Sequence, residues 1–272
     1  MSPDVPPQFV VFADVLGFRD LVLKGNAADT QETRQGPRLQ DSLARFHEVL
    51  HNVITRTPHP QGPLTALVFS DSVFVATPDG QACILFCQSL IRDCLSALIP
   101  IRCGVGHGSF SSSGFSVEST SDRTLVTTRF LGTGVVYATD AEKALKGIRV
   151  ALHPTAVAAL KAEKLHGKCL RLTKTAIGPS ASHEWNFLPG DLADDSYETS
   201  QRPRFRARPW AALYRMQMLG SARMLQGCVE KLRKNSPQNQ SVQVHYVDTL
   251  AAMKRMVLAH KLEPALGDDD AA

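Results

Sequence analysis

Two aspartates stand where a carboxylate costs most and can do most chemistry. Asp14 lies in the run Phe9-Val10-Val11-Phe12-Ala13-Asp14-Val15-Leu16-Gly17-Phe18, and Asp71 in Leu67-Val68-Phe69-Ser70-Asp71-Ser72-Val73-Phe74-Val75. Each is a lone carboxylate among apolar, β-branched and aromatic residues that read as strand. A charge in such a place is unfavourable unless something pairs with it. Neither run has a Lys or Arg nearby that could pair with both. A divalent cation takes carboxylate oxygens and can bridge two strands. Taken singly, either Asp could simply end a strand and hydrogen-bond a turn. Taken together, the two point to a metal.

The residues after Asp14 sharpen this. Val15-Leu16-Gly17-Phe18-Arg19 leads from the strand into a helix expected at Asp20–Leu23. Gly17 permits a tight turn that brings main-chain N–H groups toward the metal. N–H groups at a helix start hold phosphates. The order strand, Asp, Gly, Phe, helix therefore suits a metal–triphosphate site. The strand around Asp71 reads as half of a hairpin with Ser70-Asp71-Ser72 at its tip.

The elements that must position these residues follow along the chain. A strand at about 8–15 is followed by a polar loop at 25–37. A helix comes next, with Leu39, Leu43, Phe46, Val49, Leu50 and Val53 at helical spacing. His47 and His51 on it could bind metal, but without a third ligand a surface or capping role is favoured. The Asp71 hairpin ends near Thr77, and Ala82–Leu98 reads as a buried helix. Strand Ile101–Gly108, a Ser/Gly loop at Ser109–Ser121 and strand Leu125–Leu131 come next. Gly132 and Gly134 then open a helix carrying Ala138, Ala141, Glu142 and Leu145. A strand at Val150–His153, a helix at Ala156–Leu165 and a last strand at Arg171–Thr175 complete an α/β sandwich with helices over a mixed sheet.

The boundaries expected are a catalytic domain at 1–178, a linker at 179–208 and a C-terminal helical extension at 209–265. That extension has helices near 209–233 and 246–262, set to pack on the core or to extend a dimer interface. The linker holds the acidic Asp191–Asp195 and the basic Arg202-Pro203-Arg204-Phe205-Arg206-Ala207-Arg208. Arginines interleaved with an aromatic could touch nucleic acid, but a solvated loop is favoured. The Asp268–Asp270 tail reads as a disordered end.

Composition fits one large domain or a domain with an appendage: 272 residues, 43% hydrophobic, with a core of ordinary size. A net charge of +4 argues for neither nucleic-acid nor membrane binding. No signal-peptide pattern and no membrane-length apolar run occur. The six cysteines form no C-x-x-C pair, and Cys83, Cys87 and Cys94 share a core-facing helix side. A cytoplasmic location is expected.

Four segments in order carry a resemblance. Phe12-Ala13-Asp14-Val15-Leu16-Gly17-Phe18 resembles the first metal motif of class III nucleotide cyclases, F-x-D-[IV]-x-G-F. Phe69-Ser70-Asp71-Ser72-Val73 resembles the second, a Gly-Asp on a hairpin. Arg102-Cys103-Gly104-Val105-Gly106-His107-Gly108 is similar to the R-x-G-[IV]-x-x-G strand. Leu131-Gly132-Thr133-Gly134-Val135-Val136-Tyr137-Ala138 is similar to G-D-x-V-N-x-A. The segments lie between Phe12 and Ala138, and the resemblance covers roughly residues 8 to 175.

The resemblance implies a ferredoxin-related cyclase fold and two Mg²⁺ or Mn²⁺ ions on Asp14 and Asp71, with the Val15 carbonyl as a further ligand. One ion would activate the ribose 3′-hydroxyl and the other would neutralise the triphosphate. Phe12, Leu16, Gly17, Phe18, Arg19, Leu67 and Arg129 fall at substrate-side positions. A twofold homodimer would share its sites between subunits.

Departures from the pattern narrow the substrate. ATP-using cyclases carry a Lys four residues before the second metal Asp, where this chain has Leu67. They carry an Asp three residues before the Gly of the fourth motif, where it has Arg129. An arginine only donates, so it cannot accept from the adenine or cytosine amino group but can donate to uracil O4 or guanine O6. An exposed strand charge is the plain alternative for Arg129. The chain thus looks most like the pyrimidine cyclases of bacterial Pycsar anti-phage systems. That resemblance implies UTP as substrate, cyclic UMP as product and a separately encoded cyclic-nucleotide-gated effector. CTP, or a purine nucleotide, is the alternative.

One departure cuts the other way. The family's transition-state Asn and Arg fall at Val136 and Asp140, leaving Arg19, Lys143 and Lys146 as replacement cations. A cyclase-fold protein that binds without turnover stays open for that reason. A cyclic dinucleotide synthase is disfavoured, as no G-G-D-E-F-like signature stands at the hairpin.

Overall fold

The computed structural model describes residues 6–18, 36–119, 124–166, 169–171, 180–188, 208–235 and 240–259. Arg19, the helix expected at Asp20–Leu23, the acidic run at 191–195, Arg202–Ala207 and the 268–270 tail lie outside them.

Strand β1 (Pro7–Val15) is the axis of a sheet, because its alternate residues are apolar on both sides. Phe9, Val11, Ala13 and Val15 join the main core, while Val10 and Phe12 belong to a second cluster on the opposite face. β1 pairs antiparallel with β3 (Ser72–Thr77) and with β4 (Ile101–Ser109). The full order is β2-β3-β1-β4-β7-β9-β8, with β2 (Thr65–Val68), β7 (Val150–Leu152), β8 (Cys169–Arg171) and β9 (His183–Trp185). Only β4 and β7 run parallel among these pairs, so the fold is mixed α/β with helices on a mixed sheet.

Helices α1 (Gly36–Arg56) and α2 (Gly80–Ser96) cover one face. α1 buries Phe46, Leu50 and Val53 and leaves its polar side in solvent. α2 is capped by the Asp79 carboxylate, which accepts the Ala82 N–H at 3.0 Å. Its Cys83, Cys87 and Cys94 are fully buried, as their shared face implied.

Helix α3 (Thr133–Ala144) lies directly on β4. A Cβ at Gly104 would come within 2.1 Å of the Ala138 carbonyl oxygen, and one at Gly106 within 2.6 Å of Tyr137 Cβ. Only a strand with glycine at every second position admits a helix that close, which is the physical content of the R-x-G-x-G-x-G run.

Two expectations give way. Ser109–Ser121, expected as a loop, supplies strand β5 (Ser111–Ser119), which pairs with β6 (Thr124–Leu131) in a separate two-stranded ladder. Ladder hydrogen bonds override the weak strand propensity of serine. The sheet also continues past residue 178: β9 pairs with β7 and β8, and Trp185 and Phe187 are fully buried. Residues 183–188, expected in a linker, are thus core. Helices α4 (Pro154–Ala162), α5 (Arg208–Asn235) and α6 (Gln240–Ala259) complete the described elements. Leu225, Val229, Met253 and Met256 of the last two join the main core cluster, so these helices pack on the core. No helix among the described residues is long and apolar enough to cross a membrane.

Candidate active site

β1 delivers Asp14 between its neighbours, opposite Ser72 on one side and Arg102 on the other. Asp71 sits in the tight turn from β2 to β3, and its carbonyl accepts the Val15 N–H at 2.9 Å. One main-chain hydrogen bond thus ties the residue after the first aspartate to the second. The turn is closed by the Phe69 N–H donating to the Ser72 carbonyl at 2.8 Å. From α1, His47 Nε2 lies 3.2 Å from the Phe69 carbonyl oxygen and 3.1 Å from that of Ser70. A protonated Nε2 donates to both. His47 therefore braces the hairpin tip, while His51 is exposed. The Ser70 hydroxyl donates to Asp71 Oδ1 at 3.1 Å.

Burial pushes the Asp14 carboxyl up to about 6; Arg102 opposes the shift and the Asp71 charge adds to it. The charge of Asp71 thus reaches Asp14. Arg102 offsets part of it, with Nη2 3.8 Å from Asp14 Oδ2. Its Nε pairs with Glu142 of α3, whose side chain is 2% exposed. Burial raises Glu142 to about 6 against the pull of Arg102. Neither Arg102 nor Glu142 was among the expected site residues. The signal that could have found Arg102 is its place in β4, opposite Asp14 in register.

The other expected residues divide. Val15 and Leu16 are buried, and the Leu16 N–H donates to the Pro100 carbonyl at 2.8 Å. The chain turns at Gly17 (φ 78°), and Phe18 packs on the core. Phe12 stacks on Phe74, ring centres 4.5 Å apart. Leu67, opposite Phe74 in register, is buried in the same cluster. Phe130 reaches that cluster from β6, its ring 5.1 Å from Phe74. The backbone of Arg129, the preceding residue, pairs with Ser113; its side chain lies outside the described residues. Lys143 and Lys146 are exposed; the first acts on Glu142 and the second on His245 of α6. Val136 is 55% exposed and Asp140 is exposed beside His153.

No group of three or more His, Cys, Asp or Glu that could hold a metal occurs among the described residues. The two carboxylates and the Val15 carbonyl are hard oxygen donors, and they fit Mg²⁺ or Mn²⁺ where phosphate oxygens complete the shell.

Replacing Arg102 by methionine leaves Glu142 buried without its partner, and is expected to lower stability in urea unfolding by about 3 kcal/mol. The double variant Arg102→Met/Glu142→Leu should recover most of that loss. Equal stability of Arg102→Met and wild type would show that the pair contributes nothing.

No protein-family model matches the sequence, and no curated protein does. Solved structures are similar in fold at low identity. The guanylate cyclase domain of RhGC from Catenaria anguillulae, in complex with GTP, is 13% identical with a TM-score of 0.45, covering 65% of this chain and 93% of that one. An adenylate cyclase from Trypanosoma brucei is 15% identical with a TM-score of 0.46, covering 70% and 94%. The adenylyl cyclase CyaB from P. aeruginosa is 15% identical with a TM-score of 0.39, covering 66% and 93%.

Proposed function

We propose that the chain is a nucleotide cyclase acting on UTP at a site centred on Asp14 and Asp71. The observation that carries this reading is the bond from the Val15 N–H to the Asp71 main-chain carbonyl, which holds the two aspartates near enough for the Asp71 charge to add to the burial that raises Asp14. Asp14, Asp71 and the Val15 carbonyl would hold the divalent ions, which when bound supply Lewis acidity to the 3′-hydroxyl and neutralise the triphosphate. The ribose 3′-oxygen bonds to the α-phosphorus, the bond from that phosphorus to the bridging oxygen of the β-phosphate breaks, and the hydroxyl proton leaves to solvent. Cyclic UMP and pyrophosphate result. Arg102 keeps a fixed positive charge beside Asp14, and the His47-braced turn fixes Asp71 so that neither carboxylate must reorganise during reaction.

Pyrimidine preference rests on Leu67 and Arg129. Leu67 lines an apolar cluster instead of offering an ammonium group, and the Phe130 contact brings the β6 backbone next to that cluster. Assembly as a homodimer with shared sites is supported by the exposed apolar side chains of Phe69, Leu131 and Val136. By the resemblance to Pycsar cyclases, the product would act on a separately encoded cyclic-nucleotide-gated effector in anti-phage defence. Exposed Val136 and Asp140, in place of an amide and a cation, favour a second reading as a binder without turnover.

The test is incubation of the protein with each of the four nucleoside triphosphates and Mn²⁺ or Mg²⁺, with products identified by mass. Cyclic UMP should dominate. A cyclic purine product would replace the substrate assignment, and no product under any condition would favour the binder. Mixing Asp71→Asn with Arg129→Ala chains should restore about one working site per mixed dimer, as expected when a site draws on both subunits. Mixed dimers that stay inactive would place each site within one chain.

A further inference from the structure

We propose that the C-terminal helix α6 sets the position of Arg102, with Thr249 and His245 as positioning residues acting through the segment Gly147–Arg149. The proposal rests on the reading of Arg102 as part of the cyclase site.

The geometry starts with two backbone donors. The Gly147 N–H donates to His245 Nδ1 at 2.9 Å, and the Ile148 N–H to Thr249 Oγ1 at 2.8 Å. Thr249 is fully buried, and its hydroxyl donates in turn to the His245 carbonyl at 2.7 Å. Buried amides need acceptors, and this segment takes two of them from a helix remote in sequence. The seat is tight. Gly147 has φ 89°, and a Cβ there would lie 2.7 Å from Thr249 Oγ1 and 2.8 Å from the His245 carbonyl oxygen.

The two ends of this segment lead to the two halves of the buried ion pair. Upstream it continues from α3, which carries Glu142. Downstream, the Arg149 carbonyl accepts the Cys103 N–H at 2.8 Å, and Val150 pairs with Cys103, next to Arg102. A second tether reinforces the first: Arg149 Nε donates to buried Glu184 at 2.7 Å, and Arg255 of α6 pairs with the other oxygen of Glu184 at 3.2 Å. Burial and the charges of Arg102 and Lys146 lower the His245 pKa, so α6 reaches the electrostatic neighbourhood of the site. A helix fixed on the segment that runs from the end of α3 to the partner strand of β4 thereby sets how far the guanidinium stands from Asp14.

The experiment compares Thr249→Val, which removes the hydroxyl and keeps the shape, with Thr249→Ser, which keeps the hydroxyl. Met253→Ala removes apolar packing of α6 but none of these hydrogen bonds. Three quantities are read on the full chain: the Arg102 Nε–H resonance, amide exchange at Gly147, Ile148 and Cys103, and Mn²⁺ affinity by calorimetry without nucleotide. Thr249→Val should shift the Arg102 resonance, speed exchange at all three amides and change Mn²⁺ affinity about tenfold, the usual scale for disturbing the surroundings of a metal ligand. Thr249→Ser should restore all three, and Met253→Ala should leave them unchanged. An unmoved Arg102 resonance and Cys103 amide in Thr249→Val overturns the proposal, as does an equal response in Met253→Ala. A responsive Arg102 in a protein that binds no Mn²⁺ supports the coupling and counts against the cyclase reading instead.

Discussion

Asparagine at position 14 or 71 is expected to reduce cyclisation by about 10²–10³-fold, the order seen when one essential charge-stabilising group is removed. Stability should move differently. Burial holds Asp14 near 6 against an ordinary 3.8, so the metal-free fold binds this proton more tightly than the unfolded chain does. A raised group contributes stability that is complete below its unfolded value and is lost as pH rises through its folded value. Metal-free wild type should therefore lose stability between about pH 4 and 6 on this account. Asp14→Asn, which carries no such charge, should be at least as stable at pH 7.5, the advantage vanishing below pH 4. Mn²⁺ competes with the proton for Asp14, so Mn²⁺-induced thermal stabilisation should rise with pH through about 6 in wild type and be absent in Asp14→Asn. Retention of that stabilisation in the variant, or near-normal turnover in either one, would remove the two-carboxylate site.

The parts of this picture legible in sequence are those set by local period and local cost. Phe9 to Val15 alternates between two apolar faces, so β1 and its carboxylate could be placed from the residues alone. The glycines at 104, 106 and 108 carry a mark of α3 above them, though only the close approach explains their spacing. What could not be read is long-range. Nothing near Glu142 says that its partner is Arg102, because the β5–β6 ladder separates β4 from α3 along the chain. Thr249 and His245 look like ordinary helix residues until Gly147 and Ile148 arrive to need acceptors. Ser111–Ser119 reads as loop by composition and becomes strand because β6 lies beside it. For His47 the sequence favours a surface or capping role over a ligand's, and the hairpin carbonyls at Phe69 and Ser70 make it a brace.

Arg129→Asp is expected to lower UTP turnover strongly and to shift relative preference toward bases that carry an amino group. A guanidinium donates only. Facing uracil O4 it finds an acceptor; facing the cytosine amino group, two donors meet and neither is satisfied. A site built on such a polar match rejects the wrong partner by roughly 10⁴-fold or more, whereas a lost methylene costs far less. The apolar cluster of Leu67, Phe74 and Phe130 cannot supply that discrimination, since these side chains offer surface without donors or acceptors. The size of the effect therefore separates the two roles. If Arg129 reads the base, kcat/KM for UTP falls by orders of magnitude while Mn²⁺ binding at Asp14 and Asp71 is unchanged. If it is a surface charge on β6, the variant keeps the selectivity of the wild type, and the base pocket must be sought elsewhere.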